Sequence, residues 1–412
     1  MVDTRCVNWL DLPRELLYLI LDKLIRGINS DYFRFAVVCK DWLAVAREFQ
    51  ATSPKRQLFP ILLIPTEDKS KTHRGWYDVI QDRIVDSRLH VPYNRRCCGS
   101  SHGWLIFTEE DLSLTLYNPF AGKSIRLPPV IPVPPVEELS ADHQYDIPKV
   151  VLSADPFEAP DTYEVVAIHG VYVGKLAYFK SGWNTWIYAR QGEYNMSDWT
   201  SHFCEITYFD GKSYAADDQS LVSLEVCISE ADPNASSYVS LNLIMIRQRN
   251  WVSKCYLVPS LGGRLLWIDR HHRWKNGSFE MDGKSYDYDP DILHLTKCFK
   301  VYEMKEIDGQ MNQVELTKLD GQAIFVGNNH AEMIMTSLFP AGCKPNRIYY
   351  TDDNMDRVLG PYQPLGAIDI GVFDLDKECT YPLCVPGESK KDMPPPIWFV
   401  PRASHIRLAN RC

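Results

Sequence analysis

The stretch "GWLIFTEEDLSLTLYNPFAGKSIRLPP" (residues 103–129) reads as three short strands joined by two tight turns. Residues 105–107 form a short apolar run, and "TEED" (108–111) supplies a polar turn. "LSLTLY" (112–117) alternates large apolar with small polar residues, the period-2 pattern of a strand with two different faces. "NPFAG" (118–122) carries the Asn-Pro and Gly of a second turn, and "KSIRL" (123–127) closes the unit. This is most of a four-stranded antiparallel meander.

Weaker copies follow along the chain. They are "YEVVAIHGVYVGKLAYFKSGWNTWIYA" (163–189) and "HFCEITYFDGKSYAADDQSLVSLEVC" (202–227), then "KCYLVPSLGGRLLWIDRHH" (254–272) with "CFKVYEM" and "VELTKL". "GQAIFVGNN" (321–329), "NRIYYTDDN" (346–354) and "DIGVFDLDKECTYPL" (369–383) make the last. Most copies place Gly or Asn before an aromatic-rich strand that ends in a polar turn. The irregular spacing of roughly 40–70 residues is that of propeller blades with variable loops. Antiparallel repeats of this kind hide their sheet edges by closing radially. The expected fold is therefore mainly β: a β-propeller of six blades, with seven as the alternative, preceded by a small all-α module. A sandwich would not explain the repetition. "LFPILLIP" (58–65) and "PIWFVP" (396–401) are left over at the two ends, so they are expected to share a blade and close the ring.

The chain has 412 residues, 45% of them hydrophobic, which suffices for a large domain plus a small one. Lys and Arg number 44 against 53 Asp and Glu, a net charge of -9, which argues against a nucleic-acid partner. The 12 cysteines form no C-x-x-C pair, and this density reads as reduced thiols inside a cell, in cytoplasm or nucleus. No cofactor and no metal site is expected. "DGKSYDYDPDILH" (282–294) fails as a calcium loop, because counting from Asp287 the required Gly and Glu are Ile292 and Cys298. "DRHHRW" (269–274) reads as a turn at a blade edge, and Asp352-Asp353-Asn354 as turn chemistry. No G-x-S-x-G elbow and no phosphate-binding Gly loop is present.

The first fifty residues have a different texture. In "LDLPRELLYLILDKL" (10–24), Pro13 suits a helix start, and Asp11 is a candidate cap. Leu16, Ile20 and Leu24 form one apolar stripe, and Leu17 and Leu21 a second beside it. Asp11, Arg14, Glu15 and Asp22 interrupt the apolar residues, which excludes a signal peptide, and the longest apolar run is too short to span a membrane. Further on, Phe35, Val38, Trp42 and Val45 fall on one side of a second helical pattern. A helix apolar on two stripes must be covered twice, either by the larger domain or by a partner.

"LPRELLYLILDKL" followed by "FRFAVVCKDWLAVA" resembles an F-box, through Leu12-Pro13, Leu16, Ile20, Leu24, Val38-Cys39 and Trp42. "YNPFAGKSIRLPP", "GGRLLWI", "FKVYEM", "AIFVGNN" and "NRIYYTDDN" with "VFDLDK" resemble the plant F-box-associated β-propeller family, the KIB-like group. The resemblance implies an F-box over 1–50, a linker over 51–58, a propeller over 59–402 and a tail over 403–412. It also implies docking on a Skp-family adaptor, and through it on a cullin-RING ubiquitin ligase, by Leu12, Pro13, Leu16, Ile20, Leu24, Val38, Cys39 and Trp42. For Trp42 core packing and contact stand even. The chain is then expected to be a non-catalytic substrate receptor whose propeller holds a target protein, with no membrane association. A propeller enzyme or carbohydrate-binding protein with a helical cap, glycosidase-like and using paired carboxylates, is the alternative. Loops on a rigid scaffold commonly bind, and the longest insertions are read as 132–148, 270–293, 330–344 and 353–367. Within them His271, His272, Arg273, Trp274, Arg357 and Tyr362 are the target-binding candidates.

Overall fold

A computed structural model of the chain describes residues 9, 12–25, 32, 35–51, 59–65, 74–78, 83–91, 95–131, 146–170, 174–189, 202–228, 237–247, 254–275, 293–329, 331–339, 343–353, 369–383, 396–402 and 405. Its described strands form six sheets, the blades of a six-bladed β-propeller. The 103–129 stretch forms Trp104–Thr108, Ser113–Asn118 and Lys123–Pro129, which with Cys97–Ser101 make the second blade. Every residue of Cys97–Ser101 and Trp104–Thr108 is buried, while Lys123–Pro129 is mostly exposed. The two buried strands are covered on both faces, so "WLIFT" reads as a continuous apolar run while "CCGSS" fills its place with small residues, and an alternating pattern survives in Ser113–Asn118.

Recurrent X-Gly dipeptides set the hairpins. His102-Gly103, Asp210-Gly211 and Asp308-Gly309 have positive φ at both positions and join strands in register. Two positive φ values in a two-residue turn match the right-handed twist of the flanking strands, and Gly adopts the second one without steric cost.

Blade three comprises Lys149–Leu152, Glu164–His169, Lys175–Lys180 and Ile187–Tyr188; blade four comprises Glu205–Phe209, Lys212–Ala216, Ser220–Cys227 and Tyr238–Ile246. Blade five comprises Lys254–Pro259, Leu265–Lys275, Leu293–Ile307 and Gln310–Leu316. The ring closes in the first blade, where Ile397–Phe399 pairs antiparallel with Ile61–Pro65, which continues to Arg74–Asp78 and Arg83–Leu89. Ile61 lies opposite Phe399 and Leu62 opposite Trp398, so the two orphaned ends do share a blade.

The sixth blade departs from a meander. Its five strands run in the order Ala331–Met335, Gln322–Val326, Arg347–Tyr350, Gly371–Asp374 and Cys379–Pro382, with Gln322–Val326 parallel to Arg347–Tyr350. Residues 331–335, expected within an insertion over 330–344, are therefore a strand. They fold straight back on Gln322–Val326, and a parallel crossover reaches the next strand. One residue of the expected tail lies within the described residues. His405 is buried, with Nε2 2.6 Å from Asp155 Oδ2 and Nδ1 2.6 Å from Asn118 Nδ2. Trp104 Nε1 donates to the other Asp155 oxygen at 3.0 Å.

Helices α1 (Arg14–Ile25) and α2 (Lys40–Ala51) do not stand apart from the propeller. Leu17, Leu21, Phe35, Trp42, Val45 and Phe49 share one apolar core with Ile61, Leu63, Trp76, Leu105, Phe107, Ile397 and Phe399 of blades one and two. Of the two stripes on α1, this core buries Leu17 and Leu21 and partly covers Ile20 and Leu24 of the other, leaving Leu16 exposed. Val38 does not lie on the Phe35–Trp42–Val45 face. It sits in the turn before α2 and is 50% exposed, because the helix begins only at Lys40. Among the described residues no helix is long and apolar enough to cross a membrane.

Candidate functional site

Two surfaces carry the residues singled out by sequence. On the first, Pro13 starts α1 by offering its carbonyl to the amides of Leu16 and Leu17 (3.0 and 3.2 Å). Glu15 then lies in the first turn, where the helix dipole favours a carboxylate. Pro13, Leu16 and Val38 are exposed; Leu12, Ile20, Leu24 and Cys39 are partly buried against the shared core. Trp42 is only 8% exposed and packs against Phe35 with centroids 4.4 Å apart and planes tilted by 32°, so core packing is what its ring does here. Sequence reasoning missed Leu19 and Val37, which are 61% and 50% exposed and join Leu16 and Val38 as exposed apolar side chains of the helical module. The signal was present: Leu19 sits three residues beyond Leu16, on the side of α1 away from Leu17 and Leu21.

The second surface is one end of the propeller. Lys149, Glu205 and Lys254 each open the innermost strand of their blade and so gather at the same end of the ring. Lys149 Nζ donates to Glu205 Oε2 at 2.6 Å, with both groups buried. Burial pushes the Glu205 carboxyl up, opposed by the charges of Lys149 and Lys254. Lys254 also approaches Asn328 Oδ1 at 3.3 Å and Asp353 Oδ2 at 3.8 Å.

Blade five projects beyond this end. Lys254 lies opposite Arg270, the last pairing of the inner strand, yet the second strand continues to Lys275. Its extension pairs with the third strand, His271 opposite Cys298, His272 opposite Thr296 and Trp274 opposite His294. "DRHHRW" is thus a strand with a bulge between His271 and His272, where a turn was expected. The reason is that the segment it pairs with, residues 293–298, continues the third strand inward. Of the expected insertion 270–293, only 276–292 lie outside the described residues, as do Arg357, Tyr362 and most of 132–148.

Arg270, at the root of this ribbon, is fully buried. Its Nη1 lies 2.8 Å from Asp353 Oδ1 and donates to the Thr351 carbonyl at 2.9 Å and to the Tyr256 hydroxyl at 3.0 Å. Nη2 donates to Asp369 Oδ2 at 2.9 Å and Nε to Thr296 Oγ1 at 2.9 Å. The Tyr256 hydroxyl donates in turn to Asp353, and the Thr296 amide and hydroxyl donate to Asp369. The rings of Tyr350 and Phe299 face the guanidinium at 4.9 and 5.6 Å. Burial alone would push the Asp353 carboxyl up, but Arg270 and Lys254 override it and hold it at about 2. For Asp369 burial prevails, helped by the Asp352 carboxylate, and its pKa is raised.

One side chain therefore fastens both ends of the 354–368 segment, at Asp353 and Asp369, to the base of the 271–275 ribbon. The two segments read from sequence as target-binding share that root. His271 and His272 are half-buried at the ribbon base, and the His272 charge helps to lower the Asp353 pKa. The Asp352-Asp353 pair belongs to this network, which turn chemistry alone does not explain. Arg270 itself was missed, although a charged pair inside the apolar run "LLWIDRHH" is a signal, since charged residues are rarely buried unless paired.

The geometry defines a six-bladed propeller, joined through a shared core to the described N-terminal helices, with a ribbon and a connection rooted together at one end. Residues 76–374 match the KIB1-4 beta-propeller family model, and the chain belongs to that family. It is similar to F-box protein SKIP23 of Arabidopsis thaliana, with 23% identity over 98% of this chain and 98% of that protein. Among solved structures, it is similar to a quinonprotein alcohol dehydrogenase-like protein from Bacteroides thetaiotaomicron, with 8% identity, a TM-score of 0.35, and coverage of 81% of this chain and 77% of that one. The β-propeller domain of Myceliophteria thermophila Cps50 (Swd1) is a second, with 12% identity, a TM-score of 0.27, and coverage of 60% and 82%.

Proposed function

We propose that the chain is an intracellular F-box substrate receptor, with a helical module over 1–50, a linker over 51–58 and a propeller from 59 to about 402. The module docks on a Skp-family adaptor and so on a cullin-RING ubiquitin ligase. The propeller end rooted on Arg270 holds a target protein. The receptor supplies no acid, base or nucleophile; it raises the effective concentration of the target near the ligase.

The observation that supports this most is the apolar surface on the helices. The shared core covers Leu17 and Leu21, and Leu16, Leu19, Val37 and Val38 stay exposed beside them. Single exposed apolar residues need no explanation, but four large ones on so small a helical module support an interaction site. Likeness to an F-box protein along nearly the whole chain supports the same reading. Co-expression with a Skp-family adaptor tests it. The wild-type chain should co-purify, and Leu16→Ser with Val38→Ser should abolish the complex without lowering the thermal midpoint, because both side chains are exposed. A wild-type chain that fails to bind any such adaptor would refute the reading.

A further inference from the structure

Cys204 and Cys255 were read from the sequence as two of many scattered thiols, and the fold brings them together. Cys204 immediately precedes the innermost strand of blade four, and Cys255 is the second residue of the innermost strand of blade five. Their sulfurs are 3.5 Å apart, in van der Waals contact. Cys204 is exposed and Cys255 is buried, at 1%. Both thiols also lie near backbone carbonyls, Cys204 Sγ 3.7 Å from Ala216 O and Cys255 Sγ 3.5 Å from Asp217 O.

We propose that Cys204 and Cys255 form a reversible, peroxide-driven disulfide that staples blades four and five at the propeller end bearing Lys149, Glu205 and Lys254. A disulfide needs the sulfurs about 2.05 Å apart. Closing a gap of 3.5 Å requires a combined shift of about 1.5 Å, within the reach of two χ1 rotations. The chemistry divides between the residues by exposure. The accessible Cys204, as thiolate, attacks one oxygen of hydrogen peroxide; the O–O bond breaks, the departing hydroxide takes up a proton, and Cys204 is left as the sulfenic acid. Cys255 then attacks the Cys204 sulfur. The S–O bond breaks, the hydroxyl leaves with the Cys255 proton as water, and the S–S bond forms. Two thiols are oxidised by two electrons in all, and one peroxide is reduced to two waters.

The asymmetry of the pair fits these roles. The hydrogen bond with Cys204, then burial, raise the Cys255 pKa well above its ordinary value, so Cys255 must give up its proton as it attacks, and proximity to Cys204 drives the step. The contact also has a mechanical meaning. Lys254, next to Cys255, is paired across the strand with Arg270, so the staple would fix the root of the 271–275 ribbon to blade four.

The test uses the purified full-length chain. It is treated with hydrogen peroxide in slight molar excess, free thiols are blocked with N-ethylmaleimide, and the non-reduced tryptic digest is read by mass spectrometry. The linked peptide joining Cys204 to Cys255 should dominate, with two thiols lost per chain and recovered by dithiothreitol. Cys204→Ser should abolish the link. Cys255→Ser should abolish it too and leave a sulfenic acid on Cys204 that dimedone captures. The same oxidation in urea should scatter the pairing among other cysteines. Conversion of Cys204 to sulfinic acid without the link, or pairing of Cys204 in the folded chain with any other cysteine, would overturn the proposal.

Discussion

Replacing Arg270 by Met removes the guanidinium while keeping an unbranched apolar stem in its place. Arg270 makes two ion pairs, to Asp353 and Asp369, and three further hydrogen bonds, all out of contact with water. Deleting one partner of a buried ion pair costs about 3–5 kcal/mol, mainly through the uncompensated charge left behind. Asp353 keeps Tyr256 and Lys254, and Asp369 keeps Thr296, so the two losses overlap and do not add. We expect a loss of about 4 kcal/mol at pH 7, a large part of the roughly 5–15 kcal/mol by which folded domains are stable.

The pH dependence separates this mechanism from a packing defect. In the wild type, Asp353 is held at about 2, below its unfolded value, so its contribution is present above about pH 4 and is lost as pH falls toward 2. In Arg270→Met, burial acts on both carboxyls with less opposition and lifts them above their unfolded values. Such groups favour the folded state when protonated, so the deficit should be largest at pH 7 and shrink toward pH 5. Urea unfolding followed by tryptophan fluorescence at the two pH values measures it. A deficit under about 1 kcal/mol, or one unchanged between the two pH values, would refute the reasoning.

Two other substitutions probe how the ring is held. An alanine Cβ at position 99 would lie 2.3 Å from the Val150 carbonyl oxygen of the next blade, so Gly99→Ala must push two inner strands apart. It should cost at least about 2–3 kcal/mol, whereas Gly122→Ala, at φ 59° with open space, should cost only about 1–2 kcal/mol; equal urea midpoints would show that the close approach is not rigid. Asp155→Asn weakens the hydrogen bonds that a charged acceptor receives from His405, Trp104 and Phe157 and should cost about 2 kcal/mol at pH 7. Although burial raises it, hydrogen bonds from His405, Phe157 and Trp104 hold Asp155 at about 2. Its stabilisation is thus present above about pH 4, and the gap between variant and wild type should narrow below that, as read from urea midpoints in that range.

What was legible in the sequence was local. Residues 105–127 fold as read because turn residues and strand alternation act over fewer than ten residues. The closure of 61–65 with 397–399 was legible by elimination, since two apolar runs lacked neighbours. What was hidden depends on partners far along the chain. Arg270 and Asp369 are 99 residues apart, Cys204 and Cys255 are 51 apart, and no spacing rule connects either pair. Residues 331–335 were read as loop because "AEMIM" has neither aromatic residues nor a β-branched run, the composition that marked the other strands. Val38 was misplaced because a turn at 37–39 interrupts the helical period, and "AVVCK" gives no Gly or Pro to announce it.

The shared core carries a consequence for how such a receptor is put together. Ile397 and Phe399, on the strand that closes the ring, belong to the same apolar cluster as Leu17 and Leu21 of α1. An unclosed ring would therefore lack part of the surface on which the helices rest, and undocked helices would leave the closing strand partly uncovered. Helices as few as these bury little surface by themselves, so the closed propeller is expected to stabilise them through the shared core. In the proposed receptor this makes ring closure a precondition for presenting Leu16, Leu19, Val37 and Val38 in fixed geometry. It also replaces a flexible tether by a packed joint, which holds the helices and the Arg270-rooted end of the propeller at one set separation. For catalysis by proximity that is the favourable design, because effective concentration is greatest when the connection matches the span between the bound partners.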